Sequence, residues 1–109
     1  ENLWEEHLID QELRDPHTLQ LGNICSNNQL DILVGEIGIA DSYTQKPPRL
    51  MVYENNGKGN FSRHTIDAGT GTHHGRLVDL FGRGCLDIIS RPLHGPEKWK
   101  IFAWVNESG

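Results

Sequence analysis

Leu30-Asp31-Ile32-Leu33 returns as Leu86-Asp87-Ile88-Ile89, 56 residues further along the chain, and this recurrence decides the fold. The same spacing relates His17-Thr18-Leu19-Gln20-Leu21-Gly22-Asn23 to His73-His74-Gly75-Arg76-Leu77-Val78-Asp79. Upstream, Trp4-Glu5-Glu6-His7-Leu8-Ile9-Asp10 reappears as Phe61-Ser62-Arg63-His64-Thr65-Ile66-Asp67, at a spacing of 57. Downstream, Leu50-Met51-Val52-Tyr53-Glu54-Asn55 matches Ile101-Phe102-Ala103-Trp104-Val105-Asn106 at 51, because the preceding loop is shorter in the second copy. Four matches in one order are the mark of an internal repeat.

Each matched segment reads as a strand. Leu19 and Leu21, then Leu30, Ile32 and Val34, alternate with a period of two, the period of a pleated strand. Leu50 to Tyr53 are apolar on both faces, as in a strand packed on both sides. Between the segments lie Ser26-Asn27-Asn28, Lys46-Pro47-Pro48 and Asn55-Asn56-Gly57-Lys58-Gly59-Asn60; the Asn56-Gly57 step is a hairpin signal. No stretch keeps a helical period with caps, and Gln11-Glu12-Leu13-Arg14 has room for one turn before Pro16. With the four strands of a repeat named A to D, the chain reads D (4–9), A (17–23), B (30–36), C (49–54), D (61–66), A (73–79), B (86–91), C (100–105). The expected fold is all-β: two four-stranded β-propeller blades in strand order D-ABCD-ABC. Residues 1–109 form one two-blade unit, with copies over about 11–67 and 68–109 and an N-terminal strand within 1–10.

The 109 residues hold one small domain. A formal net charge of −5 argues against a nucleic-acid partner, which would need a basic stripe. No apolar run reaches the 18 residues or so that a membrane helix requires. No signal peptide is expected within this chain, and it opens on Glu1 without a Met, so a processed or excised chain is expected. Cys25 and Cys85 sit in loops of different repeats and are expected as free thiols.

Three stretches resemble the FG-GAP/VCBS repeat propellers: Leu30 to Glu36, Tyr53-Glu54-Asn55-Asn56-Gly57-Lys58-Gly59-Asn60-Phe61, and Asp79-Leu80-Phe81-Gly82-Arg83-Gly84-Cys85-Leu86-Asp87-Ile88-Ile89. The resemblance covers nearly the whole chain and implies an extracellular or periplasmic propeller. It specifies a fold and leaves function open, because that fold hosts many activities. It also implies an A–B turn in which alternating carboxylates hold calcium. Here those positions carry Asn23, Cys25, Asn27 and Asp31 in the first copy, and Asp79, Phe81, Arg83 and Asp87 in the second. A metal would have only Asp31, Asp79 and Asp87 to bind, and Arg83 puts a cation where it would sit. Absent or weak calcium binding is expected, and no other cofactor. Asp31 and Asp87 are expected to accept backbone N–H groups and fix their turns.

His17 and His73 occupy equivalent positions at the start of strand A, the innermost strand of a blade. With His74 and Arg76 they are the candidate ligand-binding residues at one end of the propeller, joined by Glu36 and His94 from the B–C loops. His73-His74 is no zinc motif if both lie on a strand, where neighbours face opposite ways. Trp4, Trp99 and Trp104 suit either sugar stacking or packing, and Trp104, aligned with Tyr53, suits packing. No nucleophile, base and orienting group stand at a recognisable spacing.

The expected function is a non-catalytic binding module for a glycan or protein. The alternatives are a piece of a larger secreted enzyme acting on polysaccharides, or a purely structural repeat. The last C strand lacks a D strand after it, so copies are expected to close a head-to-tail ring, with three chains giving six blades or four giving eight, three being favoured, and with residues 4–9 completing the neighbour's sheet.

Overall fold

The computed structural model describes residues 3–24, 27–38 and 46–107. Within them the protein is all-β, with seven strands: β1 (Pro16–Gly22), β2 (Asp31–Glu36), β3 (Arg49–Asn55), β4 (Phe61–Ala68), β5 (Arg76–Val78), β6 (Asp87–Ser90) and β7 (Phe102–Trp104). They form two antiparallel sheets, one of four strands in the order β1-β2-β3-β4 and one of three in the order β5-β6-β7.

The repeat seen in the sequence is carried into the hydrogen-bond register. Leu21 pairs with Ile32 and Gly22 with Asp31 in the first sheet; Leu77 pairs with Ile88 and Val78 with Asp87 in the second. Ile32 pairs with Tyr53 and Leu33 with Val52; their equivalents Ile88 and Ile89 pair with Trp104 and Ala103. Register fixes which side chains share a face, so the two sheets present matching faces.

Two apolar clusters follow from that. Between the sheets, Ile24, Leu33, Leu50 and Val52 of the first meet Leu77, Leu86, Ile88 and Trp104 of the second. On the opposite face of the first sheet, Val34, Met51 and Tyr53 pack with Leu13, Ile32 and Phe61. The segment leading into β5 passes close to β2 because Gly35 has no side chain: a Cβ there would stand 2.9 Å from Thr72 Cβ.

Each sheet therefore packs on one side with residues whose equivalents in the other copy look outward. Leu77 and Leu86 are covered by the first sheet, whereas their equivalents Leu21 and Leu30 are 63 % and 60 % exposed. Ile24 and Leu50 are buried at 6 % and 2 %, whereas Leu80 and Ile101 are 42 % and 76 % exposed.

No strand is assigned over 4–9 among the described residues, and the chain's own sheets have four strands and three; the ladder partner expected for that strand belongs to a neighbouring chain. A strand is defined by a ladder partner, and β4 already occupies the outer edge of the first sheet. The segment instead lies across the first sheet's outward face. There Tyr53 donates its O–H to Asp10 Oδ2 at 2.5 Å, and Arg63 Nη1 stands 3.4 Å from the same oxygen. The cavity beside it, about 220 Å³, is lined by His7 and Ile9 together with Ile32 and Tyr53. A larger cavity, about 370 Å³, lies between the sheets and is lined by His64 and Ile66 together with Ile88 and Trp104. These are the same four repeat positions: residues 7–9 lie against the first sheet as β4 lies against the second.

Strands of the second copy are shorter than expected, 76–78, 87–90 and 102–104. Among the described residues β7 has β6 as its one ladder neighbour, so its ends lack the support that β4 gives β3.

Candidate functional site

The chain reversals divide between two ends. The turns after β1 and β3 lie at one end, and the connections entering β1 and β5 and leaving β2 and β6 lie at the other.

At the first end, Asp31 and Asp87 do the same work in each copy. Asp31 is fully buried; its Oδ2 accepts the Ile24 N–H at 3.0 Å and its Oδ1 the Asn55 N–H at 2.9 Å. Asp87, also fully buried, accepts the Leu80 N–H at 3.3 Å and the Asn106 N–H at 2.8 Å. Each carboxylate thus ties the A–B turn to the end of strand C. The partner asparagines close the clasp: Asn55 Nδ2 donates to Leu30 O at 3.0 Å and Asn106 Nδ2 to Leu86 O at 3.1 Å. Asp79 accepts the N–H groups of Arg83 at 2.9 Å and Gly84 at 2.8 Å, and those bonds hold its carboxyl below the usual range. Arg83 Nη2 lies 2.9 Å from Asp87 Oδ1 and its guanidinium over the Phe81 ring. Among the described residues no cluster of three or more His, Cys, Asp and Glu side chains has the spacing of a metal site. Cys85 is buried and free; Cys25 lies outside the described residues.

At the second end, the structure brings three of the expected site residues together. The His17 and His73 rings are 5.9 Å apart between centroids, and His73 and His74 are 4.0 Å apart, edge to face. The last contact is one the strand argument missed. His73 and His74 precede β5, and His74 has φ +58, a left-handed conformation that folds two adjacent rings to one side. His73 is anchored by its main-chain N–H to Arg91 O at 2.8 Å, while its ring Nδ1 is enclosed without a hydrogen-bond partner. Partial burial, then the neighbouring His74, His17, Arg91 and His94, hold the His73 imidazole below its ordinary pKa. Arg76 donates from Nη1 to the carbonyls of His74 and Gly75, at 3.2 and 3.0 Å. Asp15 Oδ1 stands 3.7 Å from His17 Nε2.

Glu36 does not face this cluster as a free ligand group. It is fully buried, and its carboxylate accepts the Arg14 N–H at 2.6 Å, the Arg49 N–H at 2.9 Å, and Arg49 Nε and Nη2 at 2.9 and 2.7 Å. Burial pushes its pKa up, but these donors outweigh it and leave the carboxyl below its ordinary value. The Glu36 carbonyl also accepts the Thr72 N–H at 2.9 Å. One residue therefore joins the segments leading into His17 and His73. A Glu at a strand end carries no sequence mark of this role; an Arg, Arg49, at the start of the next strand is its only trace.

Compared with known proteins, the chain matches no family model, no curated protein and no solved structure.

Proposed function

We propose that the chain is a two-blade unit of an FG-GAP/VCBS-like β-propeller. Copies of it close a ring, three chains giving six blades, and the ring is a non-catalytic extracellular or periplasmic module. It binds a glycan or protein ligand at the end bearing His17, His73, His74, Arg76 and His94.

The observation that carries this reading is the equivalence of the two cavities. His7 and Ile9 stand against Ile32 and Tyr53 as His64 and Ile66 stand against Ile88 and Trp104. Residues 4–9 thus hold the place of a D strand from a preceding blade, and among the described residues β7 has β6 as its one ladder neighbour. Pairing them buries Leu21 and Leu30 of one copy against Leu80 and Ile101 of the next. Trp4 is the repeat equivalent of Phe61, which packs on the Tyr53 cluster. In the ring it packs against Trp104 of the neighbouring copy. Such an interface is heterologous and closes by rotation.

The chain and its His17→Ala/His73→Ala variant, applied to a glycan array, test the functional part. Binding by the parent that the folded variant loses supports a module with its site at this end. Hydrolysis of a polysaccharide by the purified chain would overturn it in favour of an enzyme.

A further inference from the structure

We propose that the histidine-bearing end is an oxyanion site, which recognises a carboxylate or phosphate group on its ligand and takes up a proton in doing so. This rests on the reading of that end as the ligand-binding one, but not on ring closure, since every group involved belongs to one chain.

The chain as a whole is acidic, with a formal net charge of −5. Against that background, His17 on β1, His73, His74 and Arg76 at the entry to β5, and Arg91 and His94 after β6 gather at one place. Among the described residues, Glu97 lies in the same connection as His94 and is paired with Lys100. Asp15 reaches only the His17 side, at 3.7 Å, and Glu36 lies buried beneath, neutralised by Arg49. An excess of donors with few acceptors suits an anion, because imidazolium and guanidinium groups have only N–H to offer.

The ring geometry adds proton linkage. The His74 and His17 rings, at 4.0 and 5.9 Å, oppose protonation of His73, since a charge there meets like charge at short range. The left-handed backbone at His74, with φ +58, is one that non-glycine residues seldom adopt, and it places that ring against His73. His73 Nδ1 is shut away from partners, which leaves Nε2 as its nitrogen for a ligand. An oxyanion among these rings offsets the repulsion and favours the protonated form. By linkage, affinity rises as pH falls through the range in which free histidines titrate, around 6.5.

Calorimetry on the full chain with D-glucuronate, inorganic phosphate and neutral D-glucose, each at pH 5.5 and 7.5, tests the inference. Circular dichroism of the same samples confirms the fold. The expected result is binding of glucuronate or phosphate about tenfold tighter at pH 5.5, lost in His17→Ala/His73→Ala and retained in Lys58→Ala, which lies in the turn after β3 at the opposite end. Glucuronate without phosphate identifies a carboxylate ligand, and phosphate without glucuronate a phosphorylated one. No binding of either anion, or binding indifferent to pH or to the double variant, overturns the proposal. Glucose binding that the double variant abolishes would leave this end as the ligand site and overturn only its preference for anions.

Discussion

Arg83 Nη2 lies 2.9 Å from Oδ1 of the fully buried Asp87, a cation of the chain's own in the place where the resemblance would put calcium. The other carboxylate of that turn, Asp79, is occupied by the N–H groups of Arg83 and Gly84. Calcium affinity follows the number of charged oxygen ligands, and here those oxygens already have partners. Calorimetry is expected to find a calcium dissociation constant of about 1 mM or weaker, the range of the weakest extracellular sites. Micromolar binding would mean that the turns rearrange around the ion.

Asp31 and Asp87 are expected to matter for stability in equal measure. Each is buried and each holds two main-chain N–H groups from distant segments. Asp→Ala at either position leaves those two donors unsatisfied and costs about 2–6 kcal/mol, from about 1–3 kcal/mol per buried group. Urea unfolding measures it; a loss below about 1 kcal/mol at both sites would contradict the clasp.

Removal of Arg49 strands the Glu36 carboxylate. Breaking a buried pair costs about 3–5 kcal/mol, and Arg49→Ala should approach that at pH 7. The pH dependence has a definite sign. The folded Glu36 carboxyl lies below its ordinary value of 4.5, so its stabilisation is present above that pH and is lost as pH falls through the folded value. The parent should lose stability below about pH 4.5, and Arg49→Ala should lose less over the same interval. Parallel acid profiles for the two proteins would show that Glu36 is not the group responsible.

Tyr53 anchors residues 4–10 through Asp10. Burial, then that bond, push its phenol up to about 12. A group raised in the folded state contributes stability below its unfolded pKa, about 10, and loses it as pH rises through the folded value. Absorbance titration should show one tyrosine ionising near pH 12, a step that Tyr53→Phe removes. Two tyrosines titrating together near pH 10 would contradict the buried bond.

Most of the architecture was legible because the repeat is a statement about register. Once Leu30 to Leu33 is aligned with Leu86 to Ile89, the pairs Leu21–Ile32 and Leu77–Ile88 follow from a period of two. The turn-fixing roles of Asp31 and Asp87 were legible for the same reason, as carboxylates recurring beside Gly- and Asn-rich turns. The position of residues 4–9 across the first sheet's outward face was not, because a strand's pattern says which face is apolar and not where its ladder partner is found. The His73–His74 contact depends on one φ angle at His74, which residue type does not fix. Glu36 read as a loop ligand because its position at a strand end is the same whether it faces solvent or Arg49.

The central claim, that residues 4–9 of one chain complete the three-stranded sheet of another, is tested most directly by mass in solution. Multi-angle light scattering at micromolar concentration should give a monodisperse particle of three chains. Deletion of residues 1–10 should reduce it to smaller species, and Trp4→Ala should weaken it. A cooperatively folded monomer, or a deletion that leaves the particle unchanged, would contradict the account.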